Sequence, residues 1–439
     1  MDRQSWLARA WMMVPRWARS VLALVAFLAA LDTFFVSISM LSAFKALGSG
    51  YGNQLILELA TNPLIGLLVG ILVTSIVQSS SSTTSIVVGL VAAGTLGDDP
   101  VNAVRLAVPV IMGANIGTSV TNILVSFGHV GDKREFERAF AAATVHDFFN
   151  LLTVVVLLPL QAATNFLGRA AYAIARAFDD VGGLSFASPL KLLVKPQVHA
   201  LKALLEHEVA STFVISTAAA AGLFLMVTTL SRRAAAGKAT RALLLLFAAV
   251  LGGVATGAIQ VPGLVRSAEL AGLIIALSGM FTALYGMVRI MRGAVLSRIE
   301  RLFHDYIFKT PLRGLVIGVL FTALVQSSSV TTSLIVPLAG AGLVSLAQVF
   351  PYTLGANVGT TVTAMLAALS LGEPAAVAVA TAHLLFNLTG IVVFYPLRRI
   401  PMLMAQKLAA LAVIWPPVAP LFVILVFFVI PLSLVFLVR

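Results

Sequence analysis

Two copies of one polar segment lie inside apolar sequence. The first, Gln78–Ser85, reads QSSSSTTS, and the second, Gln326–Ser333, reads QSSSVTTS and begins 248 residues later. Serine hydroxyls can donate hydrogen bonds to the oxygens of an anion, and glutamine carries both an amide donor and an oxygen acceptor. Neither segment contains Lys or Arg. We therefore expect neutral dipoles to hold an anion, whose charge is balanced by cations that accept oxygen ligands, such as sodium.

Each polar segment is followed by two further signatures in the same order. These are Gly113–Ser119 and Ala143–Asn150 after the first segment, and Gly355–Thr361 and Ala380–Asn387 after the second. Three ordered signatures indicate an internal duplication. Asn115 and Asn357 add donors and oxygen acceptors, and the glycines beside them allow a close approach of the backbone.

The apolar arms around the first polar segment are too short to cross a membrane. The arm Pro63–Val77 has 15 residues, which as a helix reach about 22 Å, whereas the hydrocarbon core is about 30 Å thick. The returning arm is expected at Ile86–Leu96. Polar side chains are tolerated at membrane depth only where they are buried in protein or line a watery cavity. Each polar segment is therefore predicted to be the tip of a re-entrant hairpin whose half-helix ends bind ions.

Composition places the chain among integral membrane proteins made of helices. Of 439 residues 59% are hydrophobic and 10% charged, and the mean hydropathy is +1.02. The net charge of +12 is not arranged as a basic stripe with interleaved aromatics, so we expect the lipid bilayer and no nucleic acid as a partner. Without cysteine there is no disulfide or thiolate metal site, and the six histidines lack metal-ligand spacing. No cofactor is expected beyond the coupling ions.

Nine membrane spans are predicted, near Val21–Leu47, Val101–Phe127, Ala139–Ala162, Val209–Leu230, Ala242–Val261, Glu269–Met291, Phe350–Leu371, Pro374–Leu397 and Val418–Val438. The predicted organisation is a cytoplasmic segment (1–20), a first repeat (21–162), an outer segment with two connecting spans (163–268), a second repeat (269–400), and an interfacial segment with the last span (401–439). Ser188–Leu205 is amphipathic and is expected to lie on the membrane surface.

The number of crossings and the charges predict that the second repeat is inverted relative to the first. Three crossings in the first repeat and two connecting spans make five crossings before the second repeat begins, and an odd number reverses the direction of the chain. With a cytoplasmic N terminus, the inside segments hold 20 of the 29 Lys and Arg residues, including a charged loop with Lys133, Arg134 and Arg138. An inverted repeat with two broken, polar-tipped helices that meet at the membrane midplane is typical of secondary transporters.

Asp147 breaks the similarity of the repeats, because its counterpart is Leu384. A carboxylate within a membrane segment is a functional candidate by default, as a sodium ligand or proton carrier, although it could instead pair with a polar neighbour. Asp32 in the first span is a weaker candidate. His146 and His383 recur in both repeats, and we favour a structural role for them. A single Ser/Thr patch in a membrane helix often serves only to hydrogen-bond neighbouring backbone or to pack helices together. Two matched copies argue instead for an ion-binding site.

The paired signatures resemble those of the type II sodium-phosphate cotransporter family, over nearly the whole chain from Val21 to Val438. The resemblance implies that phosphate moves into the cell down the sodium gradient. It implies a phosphate site at the serines that follow the two glutamines, Ser79, Ser80, Ser81, Ser327, Ser328 and Ser329, and to these we add the donors and acceptors of Gln78, Asn115 and Asn357. It implies sodium sites made of Gln326, Ser327, Thr360, Thr363 and Asp147, and the repeat adds Gln78 and Thr118. Asp147, preceded by Ala141 and Ala143, matches the electrogenic members.

The sequence departs from the vertebrate members of that family in its short, cysteine-free segment 163–209, and a bacterial inner membrane is expected as its location. Transport of another oxyanion and export of phosphate are alternatives on the same fold. A remote alternative is an intramembrane serine hydrolase that uses His146 and Asp147. Adjacent residues on a helix point in different directions, which argues against that relay.

Overall fold

A computed structural model of the chain describes residues 15–40, 62–97, 99–181, 196–200, 203 and 310–438. Within these ranges the regular secondary structure is helical. The predicted spans near 209–230, 242–261 and 269–291 lie outside the described residues, as does most of the amphipathic stretch 188–205.

The first half of the chain contributes seven helices to the described residues. They are α1 (Arg16–Met40), α2 (Pro63–Val77), α3 (Ser80–Ala92), α4 (Pro100–Gly117), α5 (Val120–Ser126), α6 (Lys133–Thr164) and α7 (Phe166–Val181). A 3₁₀ turn, Phe127–His129, continues α5.

The second half contributes eight, of which the last two flank a π-helical segment, Leu425–Val429. They are α8 (Pro311–Val325), α9 (Ser328–Ser333), α10 (Ile335–Gly340), α11 (Leu346–Leu371), α12 (Pro374–Phe394), α13 (Arg399–Ile414), α14 (Val418–Ile424) and α15 (Ile430–Val438).

Five of the predicted spans are confirmed as helical stretches long and apolar enough to cross a membrane. They are Pro100–His129, Lys133–Thr164, Leu346–Leu371, Pro374–Phe394 and Val418–Val438. Helix α1 covers the start of the predicted first span, whose remainder lies outside the described residues.

The predicted charged loop at Lys133, Arg134 and Arg138 is wrong, because these residues lie in the first turns of α6. The cause is the residue before the helix. Asp132 has an extended backbone, and its side chain accepts hydrogen bonds from the backbone N–H groups of Arg134 (2.8 Å) and Glu135 (3.0 Å). An acidic N-cap of this kind satisfies donors that would otherwise stay unpaired, so the helix begins before the membrane segment does.

Glycines set the distance between each short arm and the helix that follows it. A methyl group on Gly113 of α4 would collide with the carbonyl oxygen of Leu67 in α2. At the matching place in the second half, a methyl group on Gly355 of α11 would collide with the carbonyl oxygen of Leu315 in α8. Close backbone contact through small residues is a common way to pack helices in a membrane, because the hydrophobic effect does not drive helices together in lipid. Each arm is therefore held tightly against its own long helix.

The two halves pack together, and each of the two hydrophobic clusters in the described interior contains residues from both halves. Helix α6 packs on α10, α11 and α13, and α7 packs on α12. Phe149 of α6 makes edge-to-face contacts with Phe350 of α11 and Phe394 of α12, with ring centroids 6.1 and 6.4 Å apart. The polar signatures lie inside this core, and their side chains are mostly buried.

Candidate functional site

The two polar segments break their helices in the same way. Gln78 ends α2 at φ 59°, ψ 27°, and Gln326 ends α8 at φ 59°, ψ 25°. This left-handed backbone is uncommon for a residue with a side chain. Each glutamine N–H still donates to a carbonyl one turn back, Thr74 or Thr322, at 2.7 Å. A single residue therefore turns the chain without leaving the amide unpaired.

The returning arms begin immediately after the break. Ser79 caps α3 by accepting from the N–H of Ser82 (3.2 Å), and Ser327 caps α9 by accepting from the N–H of Val330 (3.4 Å). The hydroxyl run is thus helical from Ser80, which corrects the predicted start of the returning arm at Ile86. Serine is a strong N-cap, so the residues that were singled out as ligands also start the helix.

Each glutamine at a break accepts a hydrogen bond from a threonine beyond the hairpin, on α5 or α11. Thr121 donates to the Gln78 side-chain oxygen at 2.7 Å, and Thr363 donates to the Gln326 oxygen at 2.8 Å. The other amide atoms are also equivalent, since Gln78 donates to Ser75 O and Gln326 to Ala323 O. The structure therefore joins the predicted sodium-site residues Gln326 and Thr363 directly.

Thr121 is a residue that the sequence reasoning missed. It lies 242 positions before Thr363, the same offset that relates Asn115 to Asn357, so the repeat could have found it. The predicted Thr118 and Thr360 instead donate to carbonyls of their own helices, Ala114 O at 2.9 Å and Ala356 O at 3.0 Å. Their hydroxyl oxygens keep lone pairs that could still accept or ligate.

The two serine tips lie against each other. The hydroxyl of Ser81 is 3.5 Å from the backbone carbonyl of Gln326. Beside this contact, Thr332 of α9 donates to the side-chain oxygen of Asn122 in α5 at 2.9 Å. Ser80, Ser81, Ser328 and Ser329 are all buried. Two segments separated by 248 residues in sequence therefore meet in one polar layer inside the protein.

Asn115 and Asn357 lie in a hydrogen-bond network with histidines from the opposite repeat. His146 Nε2 contacts Asn357 Oδ1, and His383 Nε2 lies 3.4 Å from Asn115 Oδ1. Asn150 joins the two sides, because it accepts from Asn357 Nδ2 (3.0 Å) and donates to the backbone oxygen of Asn115 (2.8 Å). The asparagine side chains that were predicted to bind phosphate thus hold neighbouring helices together.

Asp147 is fully buried, and neither carboxylate oxygen has a hydrogen-bond partner among the described residues. The hydroxyl of Ser119 lies close enough to act on the carboxylate, although its own contacts are His146 Nδ1 (3.0 Å) and Ile116 O (3.3 Å). A buried ionised carboxylate without partners is costly unless a cation neutralises it. This arrangement suits a bound cation or a proton.

Asp32, the weaker candidate, has a polar neighbour. Its Oδ1 accepts from Gln197 Nε2 at 3.1 Å, and the residue is only partly buried. The described residues contain no group of three or more His, Asp or Glu side chains that could hold a metal ion. An apolar groove of about 470 Å³, lined in part by Phe127, Lys133 and Pro416, contains none of the predicted site residues.

Comparison with known proteins decides the family. A model of the Na⁺/Pi-cotransporter family matches residues 33–178 and 277–413. The chain belongs to this family. It is 35% identical over 428 residues to rat sodium-dependent phosphate transport protein 2A, covering 92% of the chain and 65% of that protein. It is 34% identical over 457 residues to human sodium-dependent phosphate transport protein 2B, covering 93% of the chain and 64% of that protein.

The Na⁺/Pi-cotransporter family is by its description a family of transporters, and the rat and human relatives are named as transport proteins. The chain spans just under two thirds of the length of the rat and human relatives. No solved structure matches the chain. The geometry also disfavours a hydrolase built on the serine tips, because the ring of His146 contacts Ser119 and Asn357 instead.

Proposed function

We propose that this chain is a secondary active transporter that carries inorganic phosphate into the cell together with sodium. The observation that carries the proposal is the pair of equivalent breaks, in which Gln78 and Gln326 each accept from a threonine beyond the hairpin and Ser81 lies against the Gln326 carbonyl. Helix ends inside a membrane present dipoles that attract an anion at N termini and cations at C termini. The names of the relatives give the ions their identity.

For phosphate we propose the hydroxyls and N–H groups at the starts of α3 and α9, from Ser79, Ser80, Ser81, Ser327, Ser328 and Ser329, together with Gln78. These groups donate to phosphate oxygens without a formal charge of their own. Asn115 and Asn357 are engaged with other helices, so we propose that they contribute to this site by holding its walls rather than by direct contact.

For sodium we propose oxygen ligands from Gln326, Ser327, Thr360 and Thr363, with Gln78 and Thr118 at the matching place in the first repeat. Hard cations prefer such oxygen ligands. Asp147 would receive one further sodium, because its carboxylate is buried and has no hydrogen-bond partner among the described residues. A carboxylate that binds an extra cation gives a transport cycle that moves net charge, so we propose electrogenic transport.

The proposed architecture is an inverted repeat with two re-entrant hairpins. It is supported by the short arms α2 and α8, with 15 residues each, by the matched glycine contacts, and by the odd number of spans that the sequence predicts before the second repeat. We propose a bacterial inner membrane as the location and a cytoplasmic N terminus, in line with the distribution of Lys and Arg.

The deciding experiment is uptake of labelled phosphate into proteoliposomes of the purified protein. An inward sodium gradient is compared with a potassium gradient of equal size, and unlabelled arsenate and sulfate are added as competitors. Uptake that needs sodium and is blocked by arsenate but not sulfate is the expected result. Uptake that sulfate blocks equally would point to a broader oxyanion transporter. If neither gradient drives uptake while an outward phosphate gradient drives release, the direction proposed here is wrong.

A further inference from the structure

The histidine–asparagine contacts cross between the repeats. His146 belongs to the first repeat and contacts Asn357 of the second, whereas His383 belongs to the second and contacts Asn115 of the first. All four side chains are buried. Because Asn357 Nδ2 donates to Asn150, its Oδ1 must accept, so His146 Nε2 carries the proton and Nδ1 accepts from Ser119. Asn150 Nδ2 also lies 3.3 Å from His146 Nε2, but it donates to the backbone oxygen of Asn115 at 2.8 Å, so Asn357 Oδ1 remains the acceptor for His146 Nε2–H.

Each asparagine lies on a helix whose backbone contacts one hairpin closely. Asn357 is on α11, where Gly355 lies against the backbone of α8. A Cβ atom added to Gly355 would be 2.8 Å from the carbonyl carbon of Leu315. Asn115 is on α4, where Gly113 lies equally close to α2. A Cβ atom added to Gly113 would be 2.8 Å from the backbone nitrogen of Ile71. Backbone contacts of this kind leave no room for sliding. A shift of α11 relative to α6 would thus carry the second hairpin with it.

The two crossed pairs are unequal. His146 is bonded on both ring nitrogens, to Ser119 and to Asn357. His383 has only a long contact to Asn115 at 3.4 Å, and its Nδ1 has no partner among the described residues. Asn150 reinforces the His146 side by bonding Asn357, while its counterpart Asn387 bonds the carbonyl of His383 on its own helix. The first pair is the firmer connection.

We propose that His146 is a positioning residue for sodium coupling. By holding Asn357 it keeps the part of α11 that carries Thr360 and Thr363 in register with α6, which carries Asp147. It thereby joins the sodium ligands of the second repeat to the carboxylate of the first, without touching either ion itself. This inference rests on the proposed function for its transport readout, and it has a second test that needs no transport.

The transport test compares His146→Leu, His146→Gln and His383→Leu in the same proteoliposome assay. Glutamine can place an N–H donor where the histidine Nε2–H was, whereas leucine leaves Asn357 Oδ1 and Ser119 without their buried partner. We expect His146→Leu to raise the sodium concentration for half-maximal uptake about tenfold or more. The phosphate KM at saturating sodium should change less than twofold, and His146→Gln should restore sodium dependence to within about threefold of the wild type.

His383→Leu is the matched control, because it removes the looser of the two contacts, and a smaller shift in sodium dependence is expected. Two results would overturn the proposal. One is a sodium dependence within twofold of the wild type in His146→Leu. The other is an equal loss of sodium and phosphate affinity with a lowered melting temperature, which would mark His146 as a residue that only stabilises the fold.

The second test measures the separation of the hairpins without substrate. The chain has no cysteine, so spin labels can be placed through Ile76→Cys on α2 and Leu324→Cys on α8, two equivalent side chains that are 70% and 48% exposed. Double electron–electron resonance measures the distance between the two labels. The distribution of this distance should be broader in the labelled His146→Leu variant than in the labelled protein that keeps His146, and it should not be broadened in His146→Gln. An unchanged distribution in His146→Leu would refute the positioning role even if the protein carried no phosphate.

Discussion

The hydroxyl of Thr363 lies 2.8 Å from the side-chain oxygen of Gln326 and donates a hydrogen bond to it. This contact links the end of α8 to the middle of α11. With the other end of the same amide bound to Ala323 O, the orientation of the glutamine side chain is determined. The oxygen of Gln326 has a second lone pair, which is available to a cation. The contact therefore explains how a flexible side chain could serve as a fixed ligand.

Gln326→Ala is expected to abolish sodium-driven phosphate uptake while the protein still reaches the membrane. The substitution removes a proposed ligand and leaves the Thr363 hydroxyl without its buried acceptor. Uptake is measured in proteoliposomes, and the amount of folded protein is measured by size-exclusion chromatography. Near-normal uptake would move the sodium site away from this break.

Thr363→Val tests the hydrogen bond separately from the glutamine. A net hydrogen bond contributes about 0.5–1.5 kcal/mol, so sodium affinity should fall by roughly 2- to 13-fold. Thr363→Ser keeps the hydroxyl and is the matched control, with wild-type affinity expected. If serine and valine behave alike, the methyl group rather than the hydroxyl of Thr363 is what matters.

The repeat made much of this site predictable from sequence. Signatures in the same order related Gln78 to Gln326 and Asn115 to Asn357, and the structure gives the two glutamines equivalent surroundings. Thr121 was missed because the first signature was ended at Ser119, although the two copies read alike as far as Thr121, which matches Thr363. The break between the two arms of the first hairpin is also shorter than predicted. The returning arm was expected to begin at Ile86, but Ser79 caps a helix that already begins at Ser80.

Asp147→Asn is expected to reduce transport current while some sodium-dependent uptake remains, and Asp147→Gly should do the same. The carboxylate is fully buried and has no hydrogen-bond partner in the part of the chain that the structure describes, so removing its charge should remove the reason for one sodium to bind. Current is recorded on solid-supported membranes in parallel with isotope uptake. Unchanged current per phosphate would contradict the assigned role.

A binding measurement gives an independent check on Asp147. Sodium that binds the folded state stabilises it by an amount that grows with concentration, about 2.7 kcal/mol at one hundred times the Kd. The melting temperature of the wild type should therefore rise with sodium chloride more than with potassium chloride. The additional rise should shrink in Asp147→Asn, and an equal rise in both proteins would indicate that sodium binds elsewhere.

Gly355→Ala should destabilise the protein, whereas Gly314→Ala should not. A methyl group at Gly355 would collide with the backbone of Leu315, and backbone atoms in a packed helix pair cannot move aside cheaply. At Gly314 the nearest atom to such a methyl group, Pro351 Cγ, is 3.7 Å away. We expect a loss of about 1–3 kcal/mol or more at Gly355 and no loss at Gly314, measured as melting temperature in detergent. Equal effects at the two sites would contradict the helix contact.

The crossed contacts between His146 and Asn357 could not have been predicted from the sequence. Their residues are 211 positions apart, and neither periodicity nor composition records which helix faces which. The sequence did favour a structural role for both histidines, and their hydrogen bonds agree with that preference. What it missed is that the partners come from the opposite repeat, a consequence of how the halves pack around α6.

The N-cap at Asp132 gives a prediction about pH. The backbone N–H groups of Glu135 and Arg134 hold the pKa of the Asp132 carboxyl below its ordinary value. A lowered pKa in the folded protein means that the ionised cap stabilises the fold above the pKa of an unfolded aspartate, about 3.9, and that this stability is lost as the pH falls through the lower folded value.

Asp132→Asn keeps a side-chain oxygen acceptor and removes the charge. Its melting temperature should lie below that of the wild type at pH 7, and the gap should close once the pH is low enough to protonate Asp132. Asp132→Ala, which also removes the acceptor, should remain less stable than the wild type at both pH values. A gap between the wild type and Asp132→Asn that does not change with pH would show that the charge of Asp132 does not contribute to the start of α6.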